Sequence, residues 1–420
     1  MVNIYNEKIL PSKKIIDVLK PRLVFIPLIS TLGYKYDMVV KVGDYICKGD
    51  IVGINKLSNF PIHASVSGFV IDVVKKYTLN GSLVDTVVIE NDFKERYRNK
   101  RGKKKYINSY SKLEFINMLR DNGIVNLYGS DYPSFMNYYD KENIKYLIIN
   151  GIDDDMFSST NSMIMYNYTE ELLAGIDAVL EIMNIETCYI TVNYSNELVI
   201  NKLLKYKNTY PSIKIYGIMD GYPSGSELNI LNSILDKNYD SIPDDLNVIF
   251  GNVSLMYAIY EMLLYNRPLT EIFITVSGSG CKDNANVKVK IGSEISYVME
   301  CLGGYKDKKL YMIANDVMRG NSLKNDDVIV TKDLHTIVCL PVKVEETIPC
   351  IKCGKCSYVC PSGLKPIMII KNKKRAKKLR IDKCNNCGLC SYVCPSKIEL
   401  SNIMKSIKEE KWESLLYVMA

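Results

Sequence analysis

The chain has 420 residues, of which 47% are hydrophobic and 24% are charged, and its formal net charge is +7. This size and composition predict a globular protein of about two to four domains. No run approaches the roughly 18 uninterrupted apolar residues of a membrane-spanning helix, and the amino terminus lacks a cleavable leader pattern. We therefore expect a cytoplasmic protein without a transmembrane segment.

Positive charge is concentrated in two runs, 94–105 and 371–380. Tyr97 is the only aromatic residue in either run, which is too little for a base-stacking surface, so we expect no nucleic acid partner. Three interpretations stay open for these runs. They are solvated surface, a docking surface for an acidic protein, or a peripheral contact with an anionic membrane.

The first predicted elements are short strands over 39–53, punctuated by the turn dipeptides Gly43-Asp44 and Gly49-Asp50. Together with 61–70 they resemble the barrel-sandwich hybrid of biotinyl and lipoyl carrier domains. The expected Met-Lys-Met tip is missing, so we interpret this module as a structural docking domain. His63 lies at a strand entry and is predicted to be a hydrogen-bonded structural residue.

A βαβ pattern follows, with strands at 145–150, 188–193 and 213–218 and helices at 168–185 and 196–206. This alternation predicts a parallel α/β domain, in which ligands bind at the carboxyl ends of the strands. Asn150, Asp153 and Asp155 follow the first strand and are candidate cofactor-binding residues. A polar loop without a ligand is the alternative.

Segments 272–278, 287–292 and 328–341 predict a compact β-rich unit. Cys281 follows a Ser-Gly-Ser-Gly turn that we expect to be exposed, and the adjacent Lys282 would favour its thiolate. With Cys301 it forms a hypothetical redox dithiol, and two ordinary cysteines are the alternative. The remaining cysteines outside the carboxyl-terminal region are predicted to be buried core thiols: Cys47, Cys188 and Cys339.

The carboxyl-terminal region contains two copies of the Cys-x2-Cys-x2-Cys-x3-Cys-Pro pattern that binds [4Fe–4S] clusters in bacterial ferredoxins. In two-cluster proteins the last cysteine of each run binds the other cluster. One predicted ligand set is Cys350, Cys353, Cys356 and Cys394. The other is Cys384, Cys387, Cys390 and Cys360. Zinc or disulfides are the alternatives. We predict a helix over 367–379 between the motifs and another over 399–418.

Beyond the cysteine motifs, several segments carry a resemblance that spans nearly the whole chain. They are 42–44, 61–68, 89–92, 147–151, 222–227, 252–253, 258–261, 268–269, 275–278 and 291–292. Their order resembles the RnfC family, the peripheral cluster-bearing subunit of ion-translocating ferredoxin:NAD oxidoreductases. The resemblance implies a barrel-sandwich hybrid (1–105), a Rossmann-like domain similar to the complex I flavin subunit (106–265), a soluble-ligand-binding β-grasp domain (266–340) and a double-cluster domain (341–420).

The resemblance also implies a glycine-rich loop at which FMN and NADH phosphates approach the backbone. The equivalent stretch here is 123–134, in which Gly123 and Gly129 remain as candidate cofactor-binding residues. The substituted positions are Asn126, Leu127 and Tyr128. These side chains would crowd a phosphate and Asp131 would repel it, which counts against FMN or NADH binding.

Three functions follow as hypotheses. The first is electron transfer through two [4Fe–4S] clusters to a partner such as a ferredoxin, a flavodoxin or a reductase, with D-proline reductase implied by resemblance to a soluble branch of the family. The second is the flavin- and NADH-binding subunit of a membrane-associated Rnf complex. The third is a scaffold subunit of a redox complex.

Overall fold

A computed structural model describes residues 8–10, 12–98, 106–307, 309–343 and 346–419. Within these ranges no helix combines the length and the apolar character needed to cross a membrane. The multi-domain α/β architecture predicted from the sequence is confirmed, and its four parts are described below in chain order.

The amino-terminal part is a sandwich of two small antiparallel sheets. Its strands are β1 (Ile16–Val18), β2 (Leu23–Pro27), β3 (Asp37–Met38), β4 (Tyr45–Ile46), β5 (Ile51–Asn55), β6 (Phe60–His63), β7 (Gly68–Tyr77) and β8 (Leu83–Asn91). One sheet has the order β2-β8-β7-β4 and the other the order β3-β5-β6. Val24, Val52 and Val87 are fully buried between them. The sandwich is the expected barrel-sandwich hybrid, and β1 leaves it to pair with a distant sheet.

The central part is a four-stranded parallel sheet with helices on its faces. Its elements are α1 (Lys112–Asp121), β9 (Tyr146–Asn150), α2 (Thr160–Asn167), α3 (Thr169–Met183), β10 (Thr187–Asn193), α4 (Glu197–Leu204), β11 (Ile213–Ile218), α5 (Glu227–Leu235), β12 (Val248–Asn252) and α6 (Val253–Tyr265). The strand order is β11-β10-β9-β12, so the direction of winding reverses between β9 and β12. Such a switch point opens a ligand crevice at the carboxyl ends of the strands.

The third part is a β-grasp unit: β13 (Glu271–Ser277), β14 (Ala285–Lys290), α7 (Ile295–Cys301), β15 (Leu310–Ala314), β16 (Asn321–Leu323) and β17 (Thr336–Pro341). The sheet order is β1-β14-β13-β17-β15-β16, with β13 parallel to β17 and antiparallel to β14. The strand predicted over 328–341 is shorter than expected, because the chain becomes extended only from Thr336. The β-grasp sheet and the central domain share one continuous hydrophobic core.

The carboxyl-terminal part contains α8 (Lys355–Tyr358), α9 (Pro366–Lys371), α10 (Leu389–Tyr392) and α11 (Leu400–Met419). The helix predicted over 367–379 is wrong in its length. The α-helix ends at Lys371, and a 3₁₀ turn over Lys373–Arg375 follows it. This part has a small core of its own, built from Leu364, Ile369, Ala376, Ile381, Met404 and Ile407. A second, smaller apolar contact joins it to the central domain.

Candidate functional site

A cleft of about 620 Å³ opens at the carboxyl edge of the central sheet. Asn150 and Asn252 end the neighbouring strands β9 and β12, pair in register and both line the cleft. Ser226 and Asn252 are the N-caps of α5 and α6, so the amino termini of both helices face the cleft. The cleft therefore lies at the switch point, with the positive ends of two helix dipoles directed into it.

Carboxylates dominate the charged lining of this cleft. They are Asp154, Asp155, Glu227, Asp316 and Asp333. Arg319 also lines it and forms ion pairs with Asp316 (2.5 Å) and Asp154 (3.3 Å). Burial raises the pKa of Asp154, and the nearby guanidinium opposes that shift. The cleft is thus an acidic, hydrogen-bonding environment whose arginine is already paired.

Asp155 and Asp316 form a carboxyl pair on one wall of the cleft. Burial, and then repulsion from Asp316, raise the pKa of Asp155 to about 7. Its Oδ1 accepts hydrogen bonds from the backbone amides of Phe157 (2.7 Å) and Ser158 (3.0 Å), and its Oδ2 accepts one from Val317 (2.9 Å). Asp155 therefore fastens the β-grasp segment around Val317 to the central domain.

Asp153 is fully buried and does not line the cleft. Its carboxylate accepts hydrogen bonds from the amides of Asn161 (3.1 Å) and Ser162 (2.8 Å), near the amino terminus of α2. Tyr128 donates a third, of 3.1 Å, from its hydroxyl. An internal carboxylate thus takes the anion position that a helix amino terminus offers.

The loop 126–130 forms another wall. Tyr128 has a φ of +47°, in the left-handed region, and its ring stacks on His335 at a centroid distance of 4.2 Å. Burial lowers the pKa of His335 to about 4, so the imidazole is neutral. Gly129 lines the cleft, and its amide donates to the carbonyl of Asp333 (2.9 Å).

Two expectations about this loop are corrected by the structure. Asp131 does not face a phosphate position, because it is buried outside the lining of the cleft and accepts hydrogen bonds from the amides of Thr31 (2.5 Å) and Leu32 (3.3 Å). Gly123 also lies outside the cleft. A Cβ at that position would contact His63 and the carbonyl of Pro61, so Gly123 packs against the amino-terminal sandwich.

The two cysteine motifs adopt the same backbone conformation. Positive φ angles recur at Lys352 and Asn386 (58° and 54°) and at Gly354 and Gly388 (77° and 81°), just before the short helices α8 and α10. Within the described residues, no three His, Cys, Asp or Glu side chains converge closely enough to hold a single metal ion.

The motifs are also interleaved. Burial, then like-charge repulsion from Cys387, Cys384 and Cys360, raise the pKa of Cys390 to about 12. Cys360 of the first motif therefore lies among the first three cysteines of the second. At the other end, the amide of Ile348 donates to the carbonyl of Ser396 (3.2 Å), and this bond brings the segment before Cys350 beside the end of the second motif.

The second motif contacts the central domain next to the cleft. The Tyr222 hydroxyl donates to the carbonyl of Cys387 (2.6 Å), and Tyr222, Cys387 and Leu389 form one buried apolar cluster. The guanidinium of Arg319 lies 5.4 Å from the centre of the Tyr222 ring. A packed connection thus runs from the cleft wall at Arg319, through Tyr222, to Cys387.

The predicted dithiol is not formed as expected. Cys281 is buried rather than exposed, and its thiol is hydrogen-bonded to that of Cys339 and to the carbonyl of Ser277 (3.3 Å). The bond with Cys339 lowers the pKa of Cys281, with a smaller contribution from Lys306 and none from Lys282. Cys301 is exposed. The Gly-rich turn folds back over β17, which the sequence pattern did not indicate.

Sequence reasoning missed Arg319, Tyr222 and His335. Arg319 and His335 lie in the β-grasp unit, far along the chain from the strands whose ends they adjoin. Tyr222 belongs to a segment used only for the family resemblance. No spacing signal could have placed these side chains at the cleft, since three separate parts of the chain contribute them.

Comparisons with known proteins agree with this architecture. Residues 2–94 match the RnfC barrel sandwich hybrid domain, 119–261 the Nuo51 FMN-binding domain and 349–398 the 4Fe-4S dicluster domain. Two crystal structures of an NAD+-reducing [NiFe]-hydrogenase share the fold, with TM-scores of 0.50 and 0.51 at 12% and 10% identity. The matches cover 71% of this chain and 54% and 61% of those chains.

Three curated relatives, all RnfC-type components of ion-translocating complexes, align with most of the chain. The one from the Na(+)-translocating ferredoxin:NAD(+) oxidoreductase complex of Acetobacterium woodii is 28% identical, over 85% of this chain and 82% of its own length. The one from the proton-translocating complex of Clostridium ljungdahlii is 25% identical, over 83% and 78%. The one from the ion-translocating oxidoreductase complex of Rhodobacter capsulatus is 27% identical, over 82% and 69%.

The fold and the cysteine motifs define an iron–sulfur electron-transfer protein with a central domain of the complex I flavin-subunit type. Its amino-terminal hybrid domain and its full-length relatives narrow that class. The chain belongs to the RnfC family. These relatives favour the interpretation as a component of an Rnf complex over the one involving D-proline reductase, which none of them supports.

Proposed function

We propose that this chain is the cluster-bearing peripheral subunit of an ion-translocating ferredoxin:NAD oxidoreductase complex on the cytoplasmic side of the membrane, with FMN in the cleft and two [4Fe–4S] clusters in the cysteine motifs. One observation carries the proposal. The second motif is packed against the wall of the cleft through Tyr222 and Arg319. A redox group in the cleft and one held by Cys387 would therefore be neighbours.

The eight cysteines suit two clusters. The proximity of Cys360 to Cys384, Cys387 and Cys390 supports the exchange of the last cysteine between motifs. Cys350, Cys353, Cys356 and Cys394 would then hold the other cluster. Bound clusters supply one-electron transfer, and their potentials depend on the hydrogen bonds and burial that the protein imposes.

The cleft fits a mononucleotide. Its volume lies within the usual range for small-ligand sites. The amino termini of α5 and α6 offer positions for a phosphate, and Asn150, Asp154 and Glu227 offer hydrogen bonds to ribityl hydroxyls. The neutral ring pair of Tyr128 and His335 offers a flat apolar surface. A bound flavin would couple two-electron to one-electron chemistry.

The residues between the cleft and Cys387 have a positioning role. Arg319 is held by two aspartates and stacks on Tyr222, whose hydroxyl holds the backbone of Cys387. Because every member is packed and hydrogen-bonded, the distance between the cleft and the second motif is fixed. This packing also keeps water out of the space between them, since Tyr222 is fully buried.

A basic surface beside the second motif supports an acidic redox protein as the partner. Its exposed members are Lys365, Lys371, Lys373, Lys374, Arg375, Lys377, Lys378 and Arg380. Among the described residues, Arg380 has an ion-pair partner, Asp240, at 3.9 Å. The buried side of the same segment packs beside Cys360 and Cys384. A partner attracted by this surface would dock next to a cluster ligand set.

Anaerobic purification and titration test the cofactors. We expect about eight irons per chain and one FMN, with absorbance changes from both on addition of dithionite. Iron near zero would overturn the cluster proposal. A chain with full iron that neither retains FMN nor binds added FMN would overturn the flavin proposal while leaving the clusters in place.

Charge reversal tests the partner. Lys373, Lys374 and Lys377 would be changed together to Glu, and Lys205 and Lys207, exposed on the central domain, would be reversed as the control. With an acidic ferredoxin as the probe, we expect electron exchange to slow by about tenfold in the first variant at low salt, and not in the control. Equal rates in both variants would contradict docking at this surface.

A further inference from the structure

The cleft is separated by a thin wall from a second, smaller cavity. This second cavity has a volume of about 110 Å³ and lies between α6, β13 and the amino-terminal sandwich. Its lining combines aromatic rings with charged groups: Tyr97, Tyr257, Phe273, Arg267, Lys288 and Glu271. Three residues line both cavities, namely Leu127, Tyr128 and His335. The stacked rings of Tyr128 and His335 are therefore the partition between them.

The partition is held in a conformation that costs free energy. Tyr128 and Leu127 both have φ angles in the left-handed region, +47° and +58°, which bulky side chains rarely adopt. The stack on His335 and the hydrogen bond to Asp153 hold the tyrosine in place. Strain of this kind persists where the surroundings over-determine it, and it is concentrated at functional sites.

We propose that the Tyr128–His335 partition restricts the cleft to a mononucleotide and excludes NAD(H). This proposal deepens the proposed function and rests on it, because it concerns the same cleft. A dinucleotide carries a second nucleotide, which needs space beyond the mononucleotide portion. The partition closes the way to the adjoining cavity, the one into which the cleft would extend if position 128 had no side chain.

The charges on the two sides of the partition reinforce this restriction. On the cleft side, Arg319 is already paired with Asp154 and Asp316, so it offers little to a pyrophosphate. On the far side, Lys288 and Arg267 line the smaller cavity, and Lys288 lies 3.2 Å from Glu271. The cations that could receive a second nucleotide are thus separated from the cleft by the tyrosine ring.

It follows that this chain exchanges electrons with proteins rather than with a nicotinamide at its own cleft. Specificity of this kind comes from a steric obstacle to the unwanted ligand and leaves the contacts to the accepted one unchanged. Tyr128 is then a specificity-determining residue, and its ring rather than its hydroxyl provides the obstacle.

Binding measurements on the full chain test this proposal with two variants. Tyr128→Phe keeps the ring and loses the hydrogen bond to Asp153, whereas Tyr128→Gly removes the partition. Glycine adopts a positive φ without strain, so the second variant should fold. We expect calorimetric titration to show at least about tenfold tighter NADH binding to Tyr128→Gly than to the wild type or to Tyr128→Phe.

The outcomes separate this inference from the proposed function. NADH binding to the wild type as tight as to Tyr128→Gly would overturn the inference, and so would equal absence of NADH binding from all three proteins. FMN binding is measured in the same preparations. Failure of FMN to bind the wild type would overturn the flavin part of the proposed function, while the NADH comparison would still decide the role of Tyr128.

Discussion

The two cysteine motifs have nearly the same sequence and different surroundings. Both read Cys-x-x-Cys-Gly-x-Cys-Ser-Tyr-Val-Cys-Pro-Ser, and both turn through the same positive φ angles. Cys353 in the first motif is exposed, whereas its counterpart Cys387 is buried. The difference shows that the motif specifies how the chain can grip a cluster, while the rest of the protein specifies what each cluster faces.

The contact with the body of the protein depends on close backbone approach. At Gly388 an added Cβ would lie 2.5 Å from the carbonyl oxygen of Met318, whereas at Gly354 nothing lies within 4 Å. Tyr222 completes the contact by covering Cys387. The second motif is thus positioned toward the cleft and the first toward solvent, which suggests an inner and an outer redox site.

The largest effect should come from removing one cysteine of each motif. Cys387→Ser and Cys353→Ser should each lower the iron content by about half, because each removes a ligand from one of two clusters. Only Cys387→Ser should also weaken the contact with the central domain, which thermal denaturation would detect. Unchanged iron in either variant would show that the cysteine is not a ligand.

Truncation of the covering tyrosine should follow in size. Tyr222→Ala should cost about 3–5 kcal/mol of unfolding free energy, as expected for a large aromatic side chain removed from a buried site. Tyr358→Ala in the first motif, where the side chain is 92% exposed, should change stability by less than about 0.5 kcal/mol. Denaturant titration measures both, and equal losses would contradict the asymmetry of the two motifs.

A matched pair of glycine substitutions sharpens the comparison further. Gly354→Ala and Gly388→Ala incur a similar cost for a left-handed backbone, about 1 kcal/mol. Gly388→Ala should lose about 1–3 kcal/mol more, because its Cβ must displace the carbonyl of Met318. If the two variants unfold at the same denaturant concentration, the contact between Gly388 and Met318 is absent in solution.

The smallest expected effect is on pH dependence. The pKa of Asp155 is raised to about 7 in the folded protein, above an unfolded value of about 3.9. Between these values the native state binds more protons than the unfolded state, so stability should fall as the pH rises. Asp155→Asn should make that decline less steep, as followed by denaturant titration from about pH 4 to pH 7. A slope equal to that of the wild type would contradict the raised pKa.

Local patterns in the sequence determined much of the fold. Alternating apolar strands and an amphipathic helix predicted the parallel sheet, and the α3 helix begins and ends within two residues of the prediction. The doubled cysteine spacing predicted the cluster domain, because ligand spacing on a short loop is a local property of the chain. The chain was less predictable after Lys371, where lysines continue but the α-helix does not.

Tertiary structure alone decided the rest. Asp131, which looked hostile to a phosphate, turns toward Thr31 and Leu32, and Cys281, which looked exposed, is buried against Cys339. The cleft, its partition and the path to Cys387 join residues from three distant parts of the chain. Spacing constrains only neighbours along the chain, whereas burial and charge depend on which faces the folded domains bring together.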